Sequence, residues 1–396
     1  MKPIMTEMRT ATIGALIVAL GPISMALYTP AMPTIVAAFQ TTPAHVKLTL
    51  TVFFFGFAFA QLVCGPLSDA YGRRPIAIWF FSIYLLGSIV AALSPGIEWL
   101  LVGRTLQGIG VAAGTAISRA IVRDQFTGQS SARIMNLIGL MLAVGPAISP
   151  ALGGLMLTTI GWHSIFVAMV VYGVAVVLLL WLAVPETNAA PNPSLARPSG
   201  IMRSYGTLLC DRKFMRASGL LGLTLGGLFT MAALVPFVLM DTVGLTPTQF
   251  GLAMLAQTGA FTAGSALTAR LLRHTNSMRL VPAGLIIIVI AGCGFGAGLH
   301  LLPTGIATVM GPAALWAFGI ALLMPGTTTT ALAGFASIAG AASALTGFLQ
   351  VGGGLAGTAV AALVFRDPFL ALTIVMPGMA ALAGLVYVGL AARPGH

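Results

Sequence analysis

The sequence predicts an all-α integral membrane protein with twelve transmembrane helices arranged as two six-helix halves. Three observations predict this. The 396 residues are 58% hydrophobic and only 7% charged, with a mean hydropathy of +1.00, whereas soluble domains carry about a quarter charged residues. Twelve apolar stretches of roughly twenty residues recur, each long enough to cross the hydrocarbon core as a helix. A polar, basic stretch near the middle leaves six of them on either side.

Taken in order, the first stretch, Thr10–Ala31, follows Lys2 and Arg9. It is too long for a signal peptide's apolar core and more spans follow, so it reads as the first anchor. Val46–Leu67 and Ile76–Leu93 enclose the turn Gly65-Pro66-Leu67-Ser68-Asp69-Ala70-Tyr71-Gly72-Arg73-Arg74-Pro75. Two adjacent arginines in so short a turn belong on the cytoplasmic side. Trp99–Val122, Ile134–Thr158 and Ser164–Val184 complete the first half, residues 1–187. Residues 188–213 are turn-rich and basic, with Asn192-Pro193-Ser194, Arg197-Pro198-Ser199-Gly200, Arg203, Arg212 and Lys213. They read as a cytoplasmic linker. The second half, residues 214–396, holds Phe214–Met240, Thr248–Ala269, Leu280–Leu301, Thr304–Gly326, Ala342–Val364 and Phe369–Leu390.

The charges agree with this order. The inner loops hold Arg73, Arg74, Arg123, Arg133, Arg270, Arg273, Arg279 and the linker cations, and Arg393 follows the last span. The outer loops keep Lys47 and Arg366, which places both termini in the cytoplasm. The inner loop near Gly334–Gly340 has no cation. The net charge of +11 is therefore topological and describes no nucleic-acid surface. Gly264–Arg273 echoes Gly65–Arg74, without its Asp or its Gly-Arg-Arg-Pro, and Ser343-Ala344 echoes Ser131-Ala132. Two weakly repeated halves around a midplane site are a transporter plan.

Polar and kink-forming residues then mark a mechanism. Arg104-Thr105-Leu106-Gln107-Gly108-Ile109-Gly110 lies within the fourth span. A charge at that depth must face protein, water or an anionic partner, and Arg104 and Gln107 share a helix face. Either Arg104 organises a polar network in a cavity, or it is a buried cation satisfied by carbonyls. Gly139 to Gly154 in the fifth span includes Gly145, Pro146, Pro150 and Gly153. Such residues kink a helix and let a neighbour approach closely; a generic kinked helix is the plainer reading. Phe53, Phe57 and Gln61 repeat at i, i+4, i+8, and Gln257 and Gln350 sit mid-span. These amides either line a cavity or bridge helices. Cys64 and Cys293 lie in apolar runs and read as small core residues.

The turn pattern G-x-x-x-D-x-x-G-R-R-P closely resembles the loop-two-to-three signature of the major facilitator superfamily, rather than a turn that only sets topology. R-x-x-Q-G-x-G in the fourth span resembles the same superfamily, and the fifth-span stretch resembles the motif of its exporters, which implies that Gly145 and Gly153 pack the fifth helix against a span of the other half. Leu27-Tyr28-Thr29-Pro30-Ala31-Met32-Pro33, Arg123-Asp124 and Pro185-Glu186-Thr187 add a similarity to twelve-span drug:proton antiporters of the Bcr/CflA type. The likeness is detailed to about Thr187 and rests on span pattern beyond it. It implies a monomeric inner-membrane exporter of small lipophilic drugs or metabolites, working by alternating access, proton-coupled, with no cofactor. It also implies a conformational gate of Gly65, Asp69, Gly72, Arg73, Arg74, Arg123, Gly145, Pro146, Pro150, Gly153 and Gly154, in which Asp69 bridges helices of the first half with Arg123 as a nearby partner. The substrate site is expected to draw on Tyr28, Phe57, Gln61, Arg104, Gln107, Gln257 and Gln350.

One departure bears on coupling. Relatives commonly carry an Asp just before the Tyr of that first-span motif, where this chain has Ser24-Met25-Ala26-Leu27-Tyr28. The eight carboxylates, Glu7, Asp69, Glu98, Asp124, Glu186, Asp211, Asp241 and Asp367, all fall in tails, loops or span ends. Arg does not exchange its proton in the working range, so proton coupling is implied by the resemblance alone. The alternative is a facilitator or exporter of a neutral metabolite such as a sugar, without tight proton coupling. An integral-membrane enzyme would need clustered nucleophiles, bases or ligands, and the five histidines, at loops, span ends and the tail, have no ligand spacing. A channel would show charge rings or filter loops, and the sequence has neither.

Overall fold

A computed structural model describes residues 4–126, 128–188, 191–193, 197–335 and 338–390. Among the described residues the chain is helical and contains no strand. The long helices are α1 (Glu7–Tyr28), α3 (Pro43–Tyr71), α4 (Arg73–Ala92), α5 (Ile97–Gln125), α6 (Gly128–Thr159), α7 (His163–Ala183), α9 (Arg212–Phe237), α10 (Pro247–Leu271), α11 (Ser277–Cys293), α13 (Ile306–Leu332), α14 (Ala339–Leu363) and α15 (Pro368–Gly389). Shorter helices are α2 (Met32–Ala38), α8 (Pro198–Cys210) and α12 (Leu299–Leu301). Ten helical runs among the described residues are long and apolar enough to cross a membrane. The remaining long helices are α6, whose apolar segment is Ile148–Thr159, and α10. Gln257 and a run of Thr, Ser and Gly dilute the apolar character of α10.

Helix starts follow from local chemistry. Thr42 caps α3 by accepting from the His45 amide, with Pro43 next in line, and Asp211 caps α9 by accepting from Phe214. Thr246 and Gln249 form a capping box before α10. Gly72 separates α3 from α4 at φ 107°, a left-handed conformation that only glycine takes without strain.

Three expectations are corrected here. The first span does not end at the Leu27–Pro33 motif: a short 3₁₀ turn, Thr29–Ala31, leads straight into α2. Pro30 and Pro33 sit in the first turn of each new segment, where a missing N–H costs nothing. The linker is not all turn, because α8 forms behind Pro198 and is amphipathic. Its Tyr205 hydroxyl donates to the Leu62 carbonyl of α3 at 2.7 Å, and burial pushes that phenol up to about 12. Cys293 is exposed, whereas Cys64 is buried.

Packing centres on α5 in the first set of helices, flanked by α3 and α4, with α7 behind α4 and α1 lying against α5 and α6. In the second set, α9 packs on α14, α15 and α13, and α11 on α13. One apolar core gathers mainly residues of α1 to α7, and another gathers residues of α9 to α15. The two sets meet along two crossings, α3 with α14 and α6 with α10.

Candidate functional site

The Asp69 end of α3 is a network of charges built around Arg73. Arg73 is 5% exposed. It pairs with Asp69 one turn back, lies 3.0 Å from Asp124 Oδ2 through Nε, and donates to Ser68 Oγ at 2.8 Å. Arg123, the expected partner of Asp69, is 3.9 Å away and largely exposed. Arg73 is thus the principal partner, because α4 starts directly after the Gly72 turn and aims it back across α3 and α5. The Glu186 carboxylate accepts from the Arg73 and Arg74 amides, both at 3.0 Å. It caps the positive end of α4. The Arg74 guanidinium donates to the last carbonyls of α7, Leu180 and Trp181. One turn region therefore ties α3, α4, α5 and α7 together.

The opposite end of α3 is closed by Lys47. The sequence assigns it to an outer loop, yet it is fully buried. Its Nζ donates to the carbonyls of Ala361 at 2.6 Å and Phe365 at 3.0 Å. Ala361 lies in the last turn of α14 and Phe365 two residues past its end, where the last helical carbonyls lack a helical donor and a cation is favoured. The α6–α10 crossing lies toward the same end. A Cβ on Gly154 would meet the Pro247 carbonyl oxygen at 2.3 Å, and one on Gly251 would meet the Ala151 Cα at 2.5 Å. Gly145 and Gly153 do not face the second set of helices. Gly145 lies against Ile23, and Gly153 against Leu27 and Pro30. The expectation that these two glycines meet the other half is corrected: Gly154 does so, one residue further round the helix. The Pro146 side chain lies outside the described residues, as does Arg393.

Between the two ends, on the Asp69 side, a cavity of about 230 Å³ opens between α3, α5 and α14. Gln61, Thr115, Arg119, Arg123, Asp69 and Ser343 line it. Arg119 Nη1 donates to Ser343 Oγ at 3.1 Å, a bond that crosses from α5 to α14. Gln61 Nε2 donates to Thr115 Oγ1 at 3.2 Å.

Arg104 occupies a separate place. It is fully buried, its Cζ 4.6 Å from the Tyr28 ring centroid and 4.4 Å from that of Phe53. Nη1 donates to Gln107 Oε1 at 2.7 Å, and Gln107 Nε2 donates to Ser88 Oγ at 2.9 Å. Tyr28 bonds Thr49 at 2.7 Å. Nε and Nη2 have no partner among the described residues. Two aromatic faces stand where a carboxylate would be expected.

Of the residues predicted for substrate contact, the structure brings Tyr28, Arg104 and Gln107 together, enclosed by α1, α3, α4, α5 and α7. Phe57 packs edge-on against Phe53. Gln61 lines the cavity, Gln257 is buried on α10, and Gln350 is half-buried on α14. Sequence reasoning missed Lys47, Glu186 and Arg119. A signal for Arg119 was present: it falls one turn before Arg123 on the same face of α5. Among the described residues no group of His, Cys, Asp or Glu is placed to hold a metal.

Comparisons with known proteins bear on the family and the fold. Residues 14–358 match the family model of the Major Facilitator Superfamily. The chain is 33% identical over 348 residues to the uncharacterized MFS-type transporter YdgK of Bacillus subtilis (strain 168), covering 87% of this chain and 85% of the relative. It is 27% identical over 345 residues to the multidrug resistance protein MdtL of Escherichia coli (strain K12 / DH10B), covering 85% and 84%. The solved structure of the xylose transporter XylE from E. coli, in a partially occluded inward-open conformation, superposes with a TM-score of 0.75 at 13% identity. That match covers 98% of this chain and 99% of XylE.

Proposed function

From the premise that the chain belongs to the Major Facilitator Superfamily, the match of residues 14–358 covering most of its length, we propose that it is a secondary active exporter of small lipophilic drugs or metabolites. It works by alternating access. In this reading α6 and α10 complete the ten apolar runs to twelve spans, in halves of residues 1–187 and 214–396 joined by 188–213. The Asp69 turn and both termini face the cytoplasm of a bacterial inner membrane, following the distribution of Lys and Arg.

One observation carries the reading. The two helix sets are sealed at the Lys47 end by buried hydrogen bonds and glycine crossings, while a cavity lies between them at the Asp69 end. An asymmetric closure between two packed bodies is what rocking about a central site requires. The multidrug name of the MdtL relative supports drug efflux. The Bcr/CflA assignment and proton coupling rest on motif resemblance. The test is growth of an exporter-deficient strain on an antibiotic panel, with energised efflux of an accumulated dye as a second measure. We expect raised tolerance to several lipophilic compounds; no change across the panel at verified membrane expression would overturn the reading.

A second reading is favoured by one feature. The eight carboxylates sit in tails, loops or span ends, so the chain offers no mid-membrane acid to exchange a proton. A facilitator of a neutral metabolite needs none. Solute-driven proton movement in liposomes separates the two.

A further inference from the structure

Resting on the exporter reading, we propose that the cavity between α3, α5 and α14 selects amphiphilic organic anions, with Arg119 as the group that recognises a carboxylate.

The charges lining the cavity are Arg73, Arg119 and Arg123 against the one carboxylate of Asp69. Arg73 is committed to Asp69 and Asp124, and Arg123 reaches toward Asp69. Arg119 makes no ion pair among the described residues; its hydrogen bond is to the neutral hydroxyl of Ser343. A guanidinium carries five N–H donors, so one hydroxyl leaves most of them unused. Surplus positive charge between low-dielectric walls attracts anions and repels cations, and Arg binds carboxylates through paired, charge-assisted bonds.

Gln61 supplies an independent observation. It is 7% exposed, and its Oε1 has no partner among the described residues. The amide is held in place by the opposite helix, since a Cβ on Gly347 would meet Gln61 Nε2 at 2.4 Å. Oε1 is an acceptor, so beside the cavity it marks a place for a donor on the body of the ligand, such as a hydroxyl, while the carboxylate goes to Arg119. Ala116, Ala120 and Met135 offer an apolar wall for the rest of such a molecule. Both helix sets contribute, because Arg119 and Ser343 belong to different ones. An anion bound there would replace the Arg119–Ser343 bond and alter the contact between them.

The test uses two isosteric probes that differ in charge, naphthoate and naphthamide. Their binding to the full-length protein is measured by calorimetry in nanodiscs of zwitterionic lipid. Wild type should bind naphthoate about tenfold or more tightly than naphthamide, the scale of a hydrogen bond to a charged group. Arg119→Gln should bring the ratio to about one, and Arg119→Lys should keep much of it. Equal affinities in wild type, no detectable binding of either probe, or a preference that survives Arg119→Gln would each overturn the proposal. Because wild type alone can fail it, a misfolded variant does not protect it. Selective naphthoate binding by a protein that moves no solute in liposomes would uphold the anion site and overturn the exporter reading.

Discussion

At the scale of single residues, two arginines illustrate opposite uses of charge. Arg73 is buried with two carboxylates and a hydroxyl around it. Removing it leaves Asp69 and Asp124 facing each other without their shared cation, and breaking a buried pair from one side costs about 3–5 kcal/mol. Asp69→Asn removes only one of its two acids. We therefore expect Arg73→Gln to lower both transport and melting temperature more than Asp69→Asn, measured at equal expression; the reverse order would place the centre of the network on Asp69. Arg104 is buried against two rings, with two nitrogens unpaired among the described residues. Such a charge adds little to stability, and apolar replacement of buried charges is often neutral or stabilising. Arg104→Met should thus keep or raise the melting temperature while cutting transport at least tenfold. A variant that transports normally would show that the charge is unused.

At the scale of helices, the α6–α10 crossing separates glycines that look alike in sequence. A Cβ on Gly154 would strike a backbone carbonyl, which cannot move aside, whereas one on Gly145 meets the flexible end of Ile23. Overpacking a tight contact costs about 1–3 kcal/mol. Gly154→Ala should slow efflux markedly and Gly145→Ala should leave it near wild type, in transport by proteoliposomes of matched content; equal effects would mean that the crossing is not used. The apolar runs and the Asp69 turn were legible because hydropathy and a dense motif report them directly. Which way each small residue faces was not, since Gly153 and Gly154 differ only by a rotation along one helix. The helix α8 was hidden by the Pro, Gly and Ser around it, although Pro198 is a good first residue for a helix. Arg119 was passed over because it reads as one more positive charge near the inner side, and only the fold shows that it lacks a carboxylate. Lys47 was misplaced for a related reason: a cation four residues into a helix reads as a loop charge until a partner helix covers it.

At the scale of the whole molecule, the proposed alternating-access cycle requires the two helix sets to part at the end where Lys47 bonds Ala361 and Phe365. Lys47→Met should remove both bonds to α14 and raise the population opened there. Labelling of a cysteine introduced at Thr49 by a membrane-impermeant maleimide, in a background without Cys64, Cys210 and Cys293, should then speed up severalfold; an unchanged rate would show that the glycine crossing alone holds the end shut. The acceptors for Lys47 are main-chain oxygens of Ala361 and Phe365, not side chains. The closure is therefore inherited from one side only. Substitutions at positions 361 and 365 that keep the backbone path through and just past the end of α14 leave both acceptors intact, so no second-site change in their side chains can compensate for loss of the lysine by restoring a matching pair. In a selection for revertants of Lys47→Met, recovery should come from position 47 itself or from distant sites that rebalance the two states, and lineages of this protein are free to vary the α14 terminus without disturbing the lock.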